Sequence, residues 1–384
     1  MAVDLMGRLR VLGDSARFDA SCAPFRERAL GVLPGVVWAN RCRVLKVLMS
    51  NRCGYDCAYC VNRASSPVDR AQMEPRELAD LFASLWRRGL VQGIFLSSAV
   101  VGSPDGTMER MIRALEIIRR EHRFGGYVHA KVIPGSSFGL IRQMCLLADR
   151  VSVNLEVPSE EGLRALAPQK EGSAILAPMG RVASLLEEMG SSGHLKGGHT
   201  TQMILGATED PDREVLKVSS ALYRRFRLRR VYYSSYVPVS EDPRLPRRDP
   251  DRLREVRIYQ ADFLMRQYGM SYREILGDRQ QLDRRLDPKA SWALRNVHRF
   301  PVDLNSAEAE EILMVPGIGP KGVRAILEAR RRGRLRIEDL GSLGLRVGRI
   351  RHFVTCDGHR PRLLESSHLE ELLSAPPRQA SLFQ

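Results

Sequence analysis

The sequence lacks any long uninterrupted apolar segment. Its longest mostly apolar stretch, residues 90–101, is broken by Gln92, Gly93, Ser97 and Ser98, whereas a transmembrane helix needs about 20 consecutive apolar residues. The amino-terminal stretch MAVDLMGRLRVLGDSARFD contains aspartates and arginines where a signal peptide has an apolar core. These two absences argue against a membrane-spanning or exported protein, and they predict a cytoplasmic protein with no membrane partner.

Cysteine is also scarce. The 384 residues include seven cysteines, which is an odd number in a chain without an export signal, so a disulfide framework is not expected. A hydrophobic share of 43% and a charged share of 27% are ordinary for a globular protein, which excludes a wholly disordered or fibrous chain. At roughly 150 residues per domain, the length predicts two or three domains.

The middle of the chain alternates short β-branched runs with helical patterns. This alternation is typical of βα units on a parallel sheet, and six units are fewer than the eight that close a full barrel. The predicted fold is therefore α/β, an open partial (βα)6 TIM-like barrel over residues 44–240. The predicted strands are 44–49, 93–97, 127–133, 151–155, 202–206 and 230–237. The predicted helices are 76–88, 107–122, 136–148, 179–189 and 212–226.

Four further segments are predicted outside this barrel. Residues 1–43 form an amino-terminal extension that packs on the core. A break rich in proline and charge opens a helical connector, residues 241–300, with an amphipathic helix over 251–268. Residues 301–357 are predicted to form a small all-α module, and the tail, residues 358–384, is expected to be loosely ordered.

Three cysteines, Cys53, Cys57 and Cys60, lie within eight residues directly after the first predicted strand. Thiolates on one short loop can bind three corners of an iron–sulfur cube, because soft sulfur ligands suit such clusters. The fourth iron would then have no cysteine and would be open to a substrate or cofactor. The alternative is a zinc site, which usually takes four protein ligands, the fourth being Cys42 or a histidine.

Polar residues recur at a period of two along the fourth predicted strand. Ser152, Asn154 and Glu156 are expected on one face, where buried polar groups need a ligand or a protein partner because leaving them unpaired is costly. Lys131 on the third strand and Gln202 on the fifth follow the same argument. The alternative is a polar network internal to the barrel.

Residues 315–319, with the sequence VPGIG, join two predicted helices in the carboxyl-terminal module. Asn305 is predicted to cap the first helix, with Glu308 completing a capping box. Pro320 occupies a favoured first helical position in the second helix. Such a hairpin can bind a phosphate, since its backbone N–H groups face outward and the helix N-terminus adds positive potential.

Charge supports a polyanionic partner for this module. The chain has 60 lysines and arginines against 45 aspartates and glutamates, a net charge of +15, and residues 318–354 alone have ten against three. We expect Gly317, Gly319, Lys321 and Arg324 to contact the backbone of a nucleic acid in a salt-dependent way. The alternative is a dimerisation or packing module with a solvated basic face.

The spacing C-x3-C-x2-C, with Tyr59 before the last cysteine and a strand before the first, resembles the radical S-adenosylmethionine superfamily. This resemblance implies a 4Fe-4S cluster on the three cysteines, with S-adenosylmethionine chelated to the open iron. It implies an electron donor and a 5′-deoxyadenosyl radical that removes a hydrogen atom from a substrate. Tyr59 then belongs to the cofactor site.

The same resemblance suggests roles for the other polar residues. Ser97 and Ser98 stand where the superfamily usually has a Gly-Gly-Glu-like turn that holds the methionyl amino group. The polar residues of the fourth strand are then candidates for the ribose hydroxyls and the methionyl carboxylate. Residues 202–206 look like the fifth-strand segment that lies along the adenine.

The hairpin resembles the helix-hairpin-helix motif of DNA-repair and recombination proteins, and residues 340–354 look like a degenerate second copy. Nearly the whole chain resembles the DNA modification/repair radical S-adenosylmethionine proteins, which implies modification or repair of DNA. The alternatives are an enzyme acting on RNA or a small molecule with the module as a tether, and a non-enzymatic iron–sulfur or zinc protein that binds DNA. The matching segments are 19–22, 60–63, 95–98, 152–156, 166–170, 201–208, 232–234, 286–289 and the hairpin.

Overall fold

The computed structural model describes residues 4–19, 28–29, 33–39, 42–190, 195–239, 241–361 and 366–374. The chain divides into two units, Met1–Asp210 with Ala221–Glu255, and Pro211–Ser220 with Val256–Gln384. The division into five segments, given above from the sequence, remains a prediction. Cys22 and residues 375–384 of the tail lie outside the described residues.

One eight-stranded sheet forms the centre of the first unit. Its strands, in order across the sheet, are β1 (Arg28–Ala29), β2 (Val36–Ala39), β3 (Cys42–Leu48), β4 (Gly93–Ser97), β5 (Tyr127–Lys131), β6 (Arg150–Ser152), β7 (Gly198–Leu205) and β8 (Arg230–Ser235). The strands β3 to β8 pair in parallel, whereas β1 and β2 are antiparallel additions. All six predicted strands are present, and the two antiparallel ones were missed.

The sheet curls into an open half-barrel, with β1 and β8 at opposite edges. This confirms the α/β class. Because the six parallel strands run the same way, their carboxyl ends share one edge, where open α/β sheets bind ligands. The loops that follow β3 and β4 and the segment that follows β6 therefore come together there.

One helix precedes the sheet, and six others separate its parallel strands along the chain. They are α1 (Leu5–Ser15), α2 (Pro75–Arg87), α3 (Pro104–Glu116), α4 (Phe138–Leu147), α5 (Glu160–Leu166), α6 (Gly172–Met189) and α7 (Asp212–Phe226). The start of α2 follows from its sequence, because Pro75 lies in the first turn and Glu74 and Glu77 form a capping box. The prediction for α6 began too late, since this helix continues through Pro178, and neither α1 nor α5 was predicted.

The remaining elements follow the sheet along the chain. The helices are α8 (Arg252–Tyr268), α9 (Tyr272–Leu276), α10 (Pro288–Arg295), α11 (Ala309–Met314), α12 (Pro320–Ala329), α13 (Asp339–Ser342), α14 (Val347–Ile350) and α15 (Ser366–Ser374). Two short strands, β9 (Val302–Asp303) and β10 (Val354–Thr355), pair in parallel. The module over 301–357 is therefore not purely helical. No helix in the described ranges is long and apolar enough to cross a membrane.

The first helix of the hairpin starts later than predicted. Glu308 caps α11 and forms a capping box with Glu311, so the prediction of Asn305 as the cap was wrong. The Asn305 side chain instead bonds the backbone of Leu335, donating to its carbonyl oxygen (3.1 Å) and accepting from its N–H (2.7 Å). The second helix, α12, has Gly319 as its cap and Pro320 at its first position, as predicted.

Candidate active site

The loop after β3 contains the three cysteines, and Arg70 holds its backbone in place. The Arg70 guanidinium donates to the carbonyl oxygens of Asn51 (2.6 Å), Asn62 (2.9 Å), Arg63 (2.6 Å) and Ser66 (2.9 Å). Hydrogen bonds from a charged donor are stronger than neutral ones. Arg70 therefore fixes the chain before and after the cysteines, a role that the sequence analysis missed.

The three thiols differ in burial, and two of them accept backbone hydrogen bonds. Cys57 is buried, and burial raises the pKa of its thiol and raises that of Cys60 to about 12. The amides of Tyr55 and Asn62 donate to the sulfur atoms of Cys53 and Cys60, each over 3.4 Å. Hydrogen bonds to sulfur tune iron–sulfur centres, and coordination to a metal deprotonates such thiols.

A zinc ion and an iron–sulfur cluster make different demands on these thiols. In the described part of the chain, no three histidine, cysteine, aspartate or glutamate side chains are placed to share one metal ion. A tetrahedral zinc site needs four ligands about 2.0–2.3 Å from one ion, whereas a cluster binds its thiolates on separate irons. Cys42 begins β3, at the end of the strand opposite the cysteine loop, so it is not a fourth ligand.

The three cysteines line a cavity of about 480 Å³ at the carboxyl edge of the sheet. This volume is within the range of roughly 300–1,000 Å³ typical of small-molecule sites. Seven of the eight residues expected to contact a cofactor also line it. They are Tyr59, Ser97, Ser98, Lys131, Asn154, Glu156 and Gln202.

Ser152 is the exception and does not line the cavity. It is buried, and its hydroxyl forms a hydrogen bond with Nε2 of His129 (3.1 Å), as the internal-network alternative expected. The predicted period of two fails here because β6 ends at Ser152 and Glu156 has a positive φ of 74°. Glu156 instead bridges to Met203 of β7, and it reaches the cavity by this turn of the backbone.

Lys131 and Gln202, two of the lining residues, bond to groups of the protein itself. Lys131 forms an ion pair with Asp19. The amide nitrogen of Gln202 donates to the carbonyl oxygen of Phe18 (3.1 Å) and to the hydroxyl of Ser234 (3.0 Å). These bonds attach residues 18–19 to the barrel interior. They also reduce the number of hydrogen bonds that Lys131 and Gln202 can make to a ligand.

Lys170 is a cavity residue that was not among the predicted site residues. Its ammonium donates to Oε1 of Glu156 (2.9 Å) and to the hydroxyl of Tyr59 (3.2 Å). Burial is the largest single effect and lowers the pKa of Lys170, but Glu156, Tyr59 and Cys57 together outweigh it and hold that pKa well above its usual value. Burial raises the pKa of Tyr59. Lys170 therefore stays cationic beside the cysteine loop.

Two buried polar groups on the cavity wall have no hydrogen-bond partner among the described residues. They are Oδ1 of Asn62 and the hydroxyl of Tyr236. Leaving a buried polar group unsatisfied costs about 1–3 kcal/mol, which a polar ligand can recover. Three thiols and these unpaired groups fit a cluster together with a cofactor that has amino, carboxylate and hydroxyl groups.

The two predicted hairpin glycines lie between α11 and α12 in the second unit, and Lys321 and Arg324 lie within α12. Gly317 is exposed and has a φ of +97°, a left-handed conformation that favours glycine. Gly319 has a φ of −108°, which any residue adopts, and an added Cβ would meet only the Tyr268 hydroxyl at 3.7 Å. No described residue accepts a hydrogen bond from the amide of either glycine.

Many of the basic residues around this hairpin are already engaged. Arg330 donates to the carbonyl oxygen of Ala307 (2.6 Å), and Arg332 pairs with Glu328 (2.8 Å). The structure therefore narrows the set of cations available to a ligand. Five exposed cations have no acidic partner among the described residues, namely Lys321, Arg324, Arg331, Arg346 and Arg351.

Comparison with known proteins places the cysteine loop and most of the barrel in one family. Residues 47–217 match the model of the radical SAM superfamily, which includes Cys53, Cys57, Cys60 and Lys170. The match does not extend to the hairpin. A search of curated proteins gave no match to this chain.

Solved structures that are similar to part of this chain include three proteins. The FeFe-hydrogenase maturase HydG from Carboxydothermus hydrogenoformans is 16% identical, with a TM-score of 0.40 over 50% of this chain and 44% of that one. A radical SAM methyltransferase from Sphaerobacter thermophilus is 13% identical (TM-score 0.38, 52% and 57% covered). Coproporphyrinogen III oxidase (HemN) from Escherichia coli is 15% identical (TM-score 0.36, 56% and 50% covered). The chain spans about half the length of these proteins.

The family match and the cavity agree on the chemistry. Radical SAM proteins use a 4Fe-4S cluster and S-adenosylmethionine, and the three thiols with the unpaired polar groups provide for both. Residues 47–217 therefore match a radical SAM domain, and a radical SAM enzyme is the class to which this domain points.

Proposed function

We propose that this enzyme modifies or repairs nucleic acid, with DNA as the first candidate. One observation supports the proposal above all. In the second unit, the unbonded amides of Gly317 and Gly319 lie next to the exposed, unpaired cations Lys321 and Arg324. Outward amides and a helix N-terminus suit a phosphate, and several free cations suit a polymer of phosphates.

The first unit supplies the reactive site in this proposal. Cys53, Cys57 and Cys60 bind the cluster, and the amides of Tyr55 and Asn62 donate to the bound sulfur atoms. When bound, the cluster and S-adenosylmethionine supply a 5′-deoxyadenosyl radical that removes a hydrogen atom from the substrate. An external electron donor must reduce the cluster.

The cavity residues bind and orient the cofactor in the same proposal. Asn154 and Ser97 line the cavity, and so does Ser98, whose hydroxyl donates to the carbonyl oxygen of Ala99 (2.8 Å). The ion pair of Lys170 with Glu156 fixes the Tyr59 hydroxyl from behind. Ser152 is not one of the proposed cofactor-binding residues, because its hydroxyl bonds to His129.

A salt titration of oligonucleotide binding tests the partner. Gly319→Val should lower the affinity for a mixed-sequence duplex, because its backbone conformation tolerates the change while the added side chain obstructs the amides. Lys321→Ala should lower the slope of log affinity against log salt by about 0.9 for one lost phosphate contact. Gly139→Val is the matched control, since Gly139 is an equally open glycine on α4 of the first unit.

The outcomes separate the remaining alternatives. Unchanged binding in Gly319→Val and Lys321→Ala would show that the hairpin is not the nucleic-acid site and would leave the module as a tether or packing element. If these two substitutions lowered the affinity for a single-stranded RNA more than the affinity for the DNA duplex, RNA would replace DNA as the proposed substrate class. Cleavage of S-adenosylmethionine should remain in every variant, because each substitution lies outside the cysteine loop.

A further inference from the structure

The carbonyl oxygen of Ile318, in the middle of the hairpin, accepts hydrogen bonds from one buried and one half-buried side chain. Lys289, at the start of α10, is only 8% exposed, and its ammonium donates to this oxygen over 2.5 Å. The Tyr268 hydroxyl lies 3.4 Å from the same oxygen. The Lys289 ammonium also lies 4.8 Å from the centre of the Tyr268 ring, a favourable cation–π distance.

This bond determines which way the next amide points. The peptide between Ile318 and Gly319 is planar and trans, so its C=O and its N–H point in opposite directions. Because Lys289 holds the carbonyl toward the interior of the second unit, the Gly319 N–H must point outward. The same N–H has no acceptor among the described residues.

We propose that Lys289 is a positioning residue for a phosphate of the nucleic-acid backbone at the hairpin, acting through the Ile318–Gly319 peptide. This inference rests on the proposed function and adds the element that orients its binding group. Lys289 does not touch the phosphate itself. Its charge lies behind the peptide and polarises it, which strengthens the outward N–H as a donor.

The charged and titratable groups around Lys289 give the expected pH dependence. Burial is the main cause that lowers the pKa of Lys289 to about 7. The carboxylate of Asp287 raises this pKa, and the guanidinium of Arg349 lowers it. Asp287 and Arg349 form an ion pair with each other, and burial raises the pKa of Tyr268 to about 12. Lys289 therefore gains its proton as the pH falls through about 7, and a bound anion favours that protonated form.

The test measures duplex affinity of the full chain at constant salt, at about pH 6 and about pH 8.5, on either side of the Lys289 pKa. Wild type should bind several-fold more tightly at the lower pH. Lys289→Met keeps the length and packing of the side chain but removes the donor and the charge. It should bind about tenfold more weakly at the lower pH, the size of one charged hydrogen bond, and should lose the pH dependence.

Two further variants make the result specific. Lys321→Ala should lower the affinity and the salt slope but keep the pH profile, because its ammonium is exposed and lies on the ligand side. Tyr268→Phe keeps the ring beside Lys289 and removes only the weaker 3.4 Å contact, so it should retain the pH profile with a smaller loss of affinity. This variant also tests the proposal if Lys289→Met does not fold.

The failures are distinguishable. If Gly319→Val binds like wild type, the hairpin is not a phosphate site, and the proposed function and this inference fail together. If Gly319→Val loses binding while Lys289→Met keeps both the affinity and the pH profile of wild type, the proposed function stands and the positioning role is wrong. If wild-type affinity is independent of pH, the charge of Lys289 has no part in binding, and the inference is overturned.

Discussion

Removal of Lys170 should destabilise the first unit more than removal of any surface lysine. The side chains of Lys170 and Glu156 are 13% and 12% exposed, and their atoms are 2.9 Å apart. Breaking a buried ion pair by removing one partner costs about 3–5 kcal/mol, because the other charge is left uncompensated. We take the lower value for Lys170→Met, about 3 kcal/mol, since both groups retain some contact with solvent.

Scanning calorimetry of the cluster-free protein measures this effect. At about 2–4 °C per kcal/mol for a unit of this size, Lys170→Met should lower the melting temperature by roughly 6–12 °C. Lys217→Met is the matched control, because Lys217 pairs with Glu214 at a similar 3.0 Å but is 56% exposed. Exposed pairs contribute about 0–1 kcal/mol, so the control should melt close to wild type.

A double variant tests the cause of the loss. Lys170→Met combined with Glu156→Gln removes both charges and should recover much of the lost stability, because no unpaired charge remains buried. The reasoning would be refuted if Lys170→Met melted within a degree or two of Lys217→Met. It would also be refuted if the double variant were no more stable than Lys170→Met alone.

Two further predictions concern the cofactors. Asn154→Ala should weaken the binding of S-adenosylmethionine, measured by calorimetric titration, without changing the iron content. Ser152→Ala should leave this binding unchanged, because Ser152 bonds only within the protein. Equal effects of the two substitutions would contradict the placement of Asn154 in the cofactor site. Arg70→Met should reduce cluster retention by about tenfold or more, as loss of an outer-shell contact typically does, while Arg76→Met, which removes an exposed pair with Glu121, should retain iron like wild type.

Local sequence patterns were enough to predict the sheet and the cysteine loop. Buried parallel strands are continuous apolar runs, and they alternate here with helices of ordinary length, so all six strands were found. The cysteines are adjacent in sequence, and their spacing alone brings them to one cavity. Pro178 misled the prediction because proline normally ends a helix, whereas α6 continues through it.

Contacts between distant residues could not be read from local patterns. Lys170 bonds Tyr59 across 111 positions, and Lys131 pairs with Asp19 across 112. No periodicity shows that these residues meet. Ser152 was assigned to the ligand because a strand was assumed to continue to residue 155, whereas the strand ends at Ser152 and the chain turns at Glu156.

Anaerobic assay of iron, sulfide and S-adenosylmethionine cleavage in Cys57→Ala tests the central claim most directly. Wild-type protein reduced with a chemical donor should contain a 4Fe-4S cluster and release 5′-deoxyadenosine. Cys145→Ala is the matched control, because Cys145 is buried in α4 and does not line the cavity. The account predicts loss of both cluster and cleavage in Cys57→Ala and retention of both in Cys145→Ala. Full cleavage by Cys57→Ala would contradict it.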